Sequence, residues 1–209
     1  MLRPTLFILT VFLTLFLCPF QGYNQSALSS TPTQIEDDLS FAKELINRSQ
    51  RDSARLIIKH ALKSAQLLQN KDLQAEALLE LGIIEFRQVG PRDVPTKLFL
   101  ESLALYTELD DLEGVVRCNL QLGVLNFDIR NFETASNYLE NILNIETAET
   151  RMHGLAHYLL ALSFSELKKF EQAEQMFDLA VNEIEQSDSV FHLQIQAFKG
   201  KMYSNKGEN

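Results

Sequence analysis

The amino-acid sequence predicts an all-α protein built from stacked pairs of helices. The first observation is a pattern repeated at a fixed separation of 38 positions, as in Leu122 and Leu160 or Phe132 and Phe170. The second is that apolar residues within each copy follow the spacing of one helix face. Repeats of roughly 20 to 50 residues are typical of folds in which each unit buries its apolar face against its neighbours. The positions that show both patterns are Gly123 and Ala161, Glu133 and Glu171, Ala135 and Ala173, Leu139 and Phe177, Ile142 and Ala180, and the series Ala173, Phe177, Ala180, Val181 and Ile184.

Each copy holds two helices, because Leu122, Gly123 and Leu125 precede the polar break at 129–131 and Ala135 follows it. These residues resemble the tetratricopeptide repeat (TPR) family, which places a small residue midway along the first helix and an Ala early in the second. The resemblance implies a right-handed superhelix, or solenoid, of helix-turn-helix repeats. The repeats are degenerate and 38–41 residues long: Asn119, His157 and Asn126 stand where the family has aromatic residues, and no Pro closes either repeat.

Small residues at these positions let two helix backbones approach closely, and a large apolar residue fills the remaining space. We therefore expect one set of residues to serve structural packing. It comprises Gly82, Gly123, Ala135, Leu139, Ala161, Ala173, Phe177 and Ala180.

The N-terminal segment is predicted to direct export. Arg3 precedes an apolar run at 6–16, and the whole apolar stretch of about 16 residues is shorter than the ~20 that a membrane-spanning helix needs. Residues 1–22 are interpreted as a signal peptide or signal anchor, with cleavage as late as residue 29 as an alternative. Lipid attachment at Cys18 is disfavoured, because Leu17 is not small. This places the protein in the periplasm or another extracytoplasmic location, with membrane contact only through an uncleaved N-terminus.

The polar residues 23–34 are predicted to form a disordered linker, followed by a helical repeat domain at 35–204 and a tail at 205–209. The domain has about four helix pairs and a terminal helix. Ala54, Ile58 and Ala61 copy the later packing series in the first pair. In the second pair, residues 90–95 form the connection, because they contain two Pro residues, and Phe99-Leu100 align with Tyr138-Leu139 at an offset of 39.

The terminal helix, at 191–203, carries Gly200 in the small position, and no second helix follows it. Two interpretations are open. The helix is a polar cap of the array, or the sequence is a piece of a longer protein.

Charge and motif content argue against several function classes. The chain has 19 Lys and Arg against 28 Asp and Glu, a net charge of −9, which repels nucleic-acid phosphates. Asp110, three residues before Glu113, resembles a helix cap. No Gly-rich phosphate loop occurs, and no carboxylate pair is singled out by spacing, so we expect neither catalysis nor a cofactor. Cys118 is expected to be a small core residue.

Glu149, His153 and His157 are the one cluster with metal-ligand spacing on a helix. His157 falls in a packing position of the repeat, and the set lacks the further ligand and general base of a zincin. We therefore expect no metal site.

The TPR resemblance implies that successive first helices line a concave groove. The eleven residues that it assigns there are mainly apolar, which favours an apolar helix or extended segment with some positive charge over an acidic C-terminal peptide. Burial of these residues in the core is the alternative. The predicted groove comprises Leu79, Ile83, Phe86, Arg87, Leu120, Val124, Phe127, Asp128, Tyr158, Leu162 and Glu166.

The sequence thus predicts an exported, non-catalytic scaffold that binds a protein or peptide partner. The alternative is the extracytoplasmic sensory region of a bacterial signalling protein, either whole or truncated. This alternative is based on the architecture, which is similar to the input regions of some diguanylate cyclases and histidine kinases. Oligomeric state does not follow from the sequence.

Overall fold

The computed structural model describes residues 31–184 and 189–207, and within these residues the protein is all-α, as predicted. Nine helices and their short connections make up this part of the chain, without a strand. In chain order they are α1 (Pro32–Asn47), α2 (Arg51–Leu67), α3 (Lys71–Phe86), α4 (Asp93–Glu108), α5 (Leu112–Asp128), α6 (Phe132–Leu143), α7 (Thr150–Glu166), α8 (Phe170–Glu183) and α9 (Ser189–Gly207).

The helices pack in pairs, and one set of helices also joins the pairs together. Each helix contacts the next one along the chain. The first helices of successive pairs also contact each other, in the order α1, α3, α5, α7 and α9. Among the described helices, no second helix contacts the second helix of a neighbouring pair. The first helices are therefore adjacent to one another, and the second helices are separate.

The small residues of the first helices lie where the two helices of a pair meet. A Cβ atom added to Gly82 would lie 2.5 Å from Cε1 of Phe99, and one added to Gly123 would lie 2.8 Å from Leu139. Real Cβ atoms do not approach other atoms so closely, so these glycines let the second helix come nearer. The other predicted packing residues, Ala135, Leu139, Ala161, Ala173, Phe177 and Ala180, have no exposed surface.

The packing register of the second pair differs from the one that the sequence predicts. Phe99 is fully buried against Gly82, and Leu100 is 42% exposed. Phe99 therefore corresponds to Leu139, an offset of 40 rather than 39. The prediction aligned the similar dipeptides Phe99-Leu100 and Tyr138-Leu139. In the structure, the buried residue is the one that lies opposite the glycine, which is Phe99.

The connection of the second pair also ends earlier than predicted. Helix α4 begins at Asp93, and Pro95 lies buried in its first turn. Proline is tolerated there because the first backbone N–H groups of a helix have no partner within the helix. With the corrected offset, Pro95 corresponds to Ala135.

Five connections share one backbone turn. Ser49, Gln69, Asp110, Arg130 and Lys168 have φ between 53° and 63°. In each turn the next N–H donates to a carbonyl five residues earlier, as from Asn131 to Asn126 at 2.8 Å and from Lys169 to Phe164 at 2.8 Å. This is the Schellman geometry that ends many helices. Arg130 and Lys168 are 38 residues apart, so the repeat is also present in the backbone.

The ends of the helical region extend beyond the predicted boundaries. Thr31 caps α1 through a hydrogen bond from the N–H of Gln34, and the helix begins at Pro32 rather than near residue 35. At the other end, α9 continues through residues 205–207 instead of ending before them. The cap of α5 is Asp111, which accepts from the N–H of Gly114; Asp110 lies in the preceding left-handed turn.

Helix α9 is in register with the first helices. Ile195 and Met202 are buried, 39 positions after the buried residues Ala156 and Ser163 of α7. Gly200 stands 39 positions after Ala161, but a Cβ there would meet no atom within 4 Å. Gly200 thus occupies the repeat position of the small residue, but no described helix packs against it.

Candidate functional site

Five residues of the predicted groove line one pocket of about 300 Å³. It lies at the C-terminal ends of α3, α5 and α7, so three successive first helices contribute to it. Arg130 of the α5–α6 turn and Phe132, the first residue of α6, complete its wall, and neither was predicted for the groove. The lining consists of Phe86, Val124, Phe127, Asp128, Arg130, Phe132 and Glu166.

Arg92 fixes the geometry of this pocket from the connection between α3 and α4. Its Nε and Nη2 atoms lie 3.1 and 2.9 Å from Oδ2 of Asp128. Its Nη1 donates to the carbonyl of Phe86 at 2.7 Å, and the guanidinium lies 4.9 Å from the centre of the Phe86 ring. The charge of Asp128 is therefore paired within the protein.

Two of the residues assigned to the groove pack against neighbouring helices, which is the alternative of core burial. Leu79 is fully buried in the cluster that includes Ala75, Phe99 and Leu122, because α4 and α5 enclose this side of α3. It lines no accessible surface. Tyr158 packs against Phe177 of α8 and against Phe191 of α9, with ring centres 6.3 and 4.9 Å apart. The terminal helix thus covers part of the predicted groove.

The remaining groove residues lie along the first helices without sharing the pocket. Ile83, Leu120 and Leu162 are half-buried and pack against the core clusters. Arg87 is exposed. These apolar positions are therefore partly buried in the core, and a partner groove at them stays a prediction.

A network of charged side chains, which no sequence pattern predicted, connects α1, α3 and α5. Arg117 donates to Glu76 at 2.7 and 3.2 Å and to Glu80 at 3.0 Å. Lys43 lies 2.5 Å from Glu76, and the Tyr106 hydroxyl donates to Glu76 at 2.6 Å. These partners are 30 to 41 residues apart in sequence, except for the two glutamates, so no local pattern reveals them.

Burial and pairing shift the protonation of this network in different directions. Burial alone would raise the pKa of Glu76, but hydrogen bonds from Arg117, Lys43 and Tyr106 outweigh it and hold the pKa at about 2. Burial raises the pKa of Glu80, and the adjacent Glu76 charge adds to the rise. Burial likewise raises the pKa of Tyr106, together with its hydrogen bond to Glu76. Glu76 is therefore the ionised centre of the network.

Two further pockets lie toward the N-terminal ends of the first helices. One, of about 400 Å³, is mainly polar and is bounded by α1, α3, α4 and α5. The other, of about 220 Å³, is mainly apolar and lies between α5 and the connection that leads to α7. Glu113 and Arg117 border both pockets, so the two are adjacent.

Glu149, His153 and His157 do not form one site. The ring Nε2 of His153 lies 3.1 Å from the carbonyl oxygen of Ile145, and Nδ1 of His157 lies 2.6 Å from Glu183. In the described part of the chain, no group of three or more His, Cys, Asp or Glu side chains is arranged to hold a metal ion.

Cys118 is fully buried, with its Sγ 3.3 Å from Oγ of Ser102. Burial raises the pKa of its thiol to about 11, so the thiolate is scarce at neutral pH. The side chain packs as a small core residue.

A scan against models of known protein families finds no match for this chain. None of the helices in residues 31–184 and 189–207 is long and apolar enough to span a membrane. The predicted signal segment at 1–22, the later cleavage position at 29, Cys18 and most of the predicted linker lie outside the described residues.

Proposed function

We propose that this chain is an exported, non-catalytic TPR-like scaffold that binds a protein or peptide partner. In this proposal its helix pairs form a right-handed superhelix, and the partner lies along the first helices. The partner is a polypeptide rather than a nucleic acid, because the chain carries a net charge of −9.

One observation carries the proposal, namely that the first helices contact one another in an unbroken order from α1 to α9. Helices arranged in this way present a continuous surface, along which a segment can contact several repeats. The pocket at the C-terminal ends of α3, α5 and α7 lies on this set of helices. It offers the half-buried rings of Phe86 and Phe127, the kind of aromatic group that dominates binding energy at protein interfaces.

The charged groups support binding rather than catalysis. Glu76 and Glu80, the most buried carboxylates of the network, are engaged by Arg117 and Lys43, which join three helices. Acid–base catalysis requires a titratable group that can reach a substrate proton. Glu76 instead stabilises the contacts between the first helices through its bonds to Lys43 and Arg117.

Photo-cross-linking tests the proposal. A photoreactive residue in place of Val124, which lines the pocket, is expected to form a covalent adduct with one specific protein of the producing cell. Phe86→Ala and Phe127→Ala together should reduce the yield of that adduct by about tenfold, because each removes an aromatic contact.

Phe41→Ala is the matched control, because Phe41 is 50% exposed and lines none of the pockets described above. It should leave the adduct unchanged. The proposal is wrong if no specific adduct forms, or if Phe41→Ala lowers the yield as much as the double variant at the same melting temperature.

A further inference from the structure

The apolar pocket beside α5 has the size of a site for one side chain. Leu112 and Val116 of α5 form one wall, and Ile145, Ala148 and Met152 form the other. Its volume of about 220 Å³ is smaller than the roughly 300–1,000 Å³ of pockets that hold complete small ligands. An apolar side chain of a bound peptide is the appropriate occupant in size and character.

The connection that closes this pocket is ordered by its own contacts. The carbonyl of Ile145 accepts a hydrogen bond from the N–H of Ala148 at 3.0 Å, and its oxygen lies 3.1 Å from Nε2 of His153. This connection, at 144–149, differs from the Schellman turns elsewhere in the array. The wall is thus formed before a ligand arrives, which reduces the entropy cost of binding.

The edge of the pocket has excess negative charge. Glu113 and Glu149 border it and form no ion pair with a described residue. Arg117 also borders it, but its charge is neutralised by Glu76 and Glu80. The N-termini of α5 and α7 each contribute about +0.5 of a charge, so together they offset about one of the two carboxylates.

The neighbouring polar cavity extends this negative surface. Glu36, Asp72 and Asp111 line it, and its two cations, Lys43 and Arg117, are already paired with Glu76 and Glu80. A ligand that crosses from one pocket into the other therefore passes from apolar side chains to carboxylates.

We propose that the two pockets together bind an extended peptide segment in which one apolar anchor residue is followed by basic residues. The anchor enters the pocket formed by α5 and the 144–149 connection, and the basic side chains face Glu113 and the carboxylates of the polar cavity. Charge complementarity selects this partner over an acidic peptide. The inference rests on the proposed scaffold function and specifies the partner's chemistry at the N-terminal edge of the first helices.

Fluorescence anisotropy with three labelled peptides tests this inference. The probes are Gly-Ser-Leu-Lys-Arg-Lys-Ser-Gly, the same peptide with Glu-Asp-Glu as the charged run, and a basic peptide with Ser in place of Leu. The first should bind most tightly, and the other two at least about tenfold more weakly, because each lacks one of the two complementary features. Its affinity should also fall as salt increases.

Two variants locate the binding site. Glu113→Gln with Glu149→Gln should lower the affinity for the first peptide by about tenfold, since the double variant removes the carboxylates at the pocket edge. Ala148→Phe should lower this affinity by a similar factor, because the phenyl ring fills the pocket. Glu133→Gln with Glu140→Gln, an equal change of charge at exposed positions of α6, is the control and should have little effect.

Several outcomes would overturn the inference. They are no saturable binding up to about 1 mM peptide, equal affinity for all three peptides, or an equal loss of affinity for the first peptide in the Glu113/Glu149 and Glu133/Glu140 variants. None of these outcomes depends on the pocket at Phe86 and Phe127. A positive cross-linking result at Val124 with a negative peptide result would therefore reject the partner chemistry and retain the scaffold function.

Discussion

The side chain opposite each small residue decides how tightly that position is packed. Gly82 faces the rigid ring of Phe99, with Cε1 and Cδ1 at 2.5 and 2.7 Å from an added Cβ. Gly123 faces the more flexible Leu139 side chain, with Cγ and Cδ2 both at 2.8 Å from an added Cβ, and the next repeat already has Ala161 in this position. Gly200 faces no atom within 4 Å. Three glycines in one repeat position thus differ in their surroundings.

Replacing these glycines by alanine should therefore give three different results. Alanine gains about 1 kcal/mol of helix propensity over glycine, and overpacking costs about 1–3 kcal/mol. Gly82→Ala should destabilise the protein by about 1–2 kcal/mol, Gly123→Ala should destabilise it less, because the Leu139 side chain can rotate away, and Gly200→Ala should stabilise it by up to about 1 kcal/mol. Urea unfolding of the three variants measures this order, and a Gly82→Ala protein as stable as Gly200→Ala would contradict the close approach to Phe99.

Glu76 and Glu80 are one helical turn apart on α3, yet their charges have opposite effects on stability. The pKa of Glu76 is about 2 in the folded protein, below its ordinary 4.5, because the bonds from Arg117, Lys43 and Tyr106 outweigh burial. Its contribution is therefore present above about pH 4.5 and is lost as the pH falls toward 2. The pKa of Glu80 is raised by burial and by Glu76, so its contribution is present below 4.5 and is lost as the pH rises.

This difference predicts the behaviour of two matched variants. Glu76→Gln should reduce the free energy of unfolding at pH 7 by up to about 3 kcal/mol and should remove much of the acid sensitivity between pH 4.5 and 2. Glu80→Gln should cost much less at pH 7, because the neutral amide is easier to bury and its oxygen can still accept from Arg117. Urea unfolding as a function of pH measures both effects. Equal losses for the two variants at pH 7 would show that Glu76 is not the ionised centre.

At the scale of the helices, the sequence was sufficient for the existence and order of the elements. A period of 38 positions and the helical spacing of residues such as Ala173 and Phe177 are local properties, and tertiary packing reinforces them. The errors occurred at the boundaries. Pro95 was taken to interrupt a helix, but in a first turn it costs no hydrogen bond. Leu100 was aligned with Leu139 because both are leucines, although the residue buried against Gly82 is Phe99.

The turns show why some backbone features could not be predicted. Residues with large side chains, such as Gln69, Arg130 and Lys168, adopt a left-handed conformation that sequence reasoning assigns to glycine. Packing of the adjoining helices imposes this conformation on whichever residue follows the C-cap. The turn therefore repeats in structure without a repeated residue type.

The candidate site was only partly predictable for a related reason. Three residues of the predicted groove, Phe86, Val124 and Phe127, line one pocket, because their positions on the first helices repeat. Family register could not identify the contact of Arg117 with Glu76, which joins residues 41 positions apart. Nor could it identify the pocket closed by the 144–149 connection, whose walls come from separate elements.

At the scale of the whole molecule, the order of contacts connects packing with the proposed function. First helices contact first helices, second helices remain apart, and three apolar clusters follow one another along the chain. A partner lying on the first helices would therefore contact several pairs at once. The ion pairs of Lys43 and Arg117 with Glu76 join α1, α3 and α5.

Zero-length cross-linking with a carbodiimide, read by mass spectrometry, tests the adjacency of the first helices most directly. This reagent joins a Lys amine to a carboxylate in contact with it. We predict an amide between Lys43 of α1 and Glu76 of α3, whose charged atoms are 2.5 Å apart, and one between Lys199 of α9 and Asp178 of α8, also at 2.5 Å. Links from Lys97 of α4 to Glu140 of α6, with none from Lys43 to α3, would contradict it.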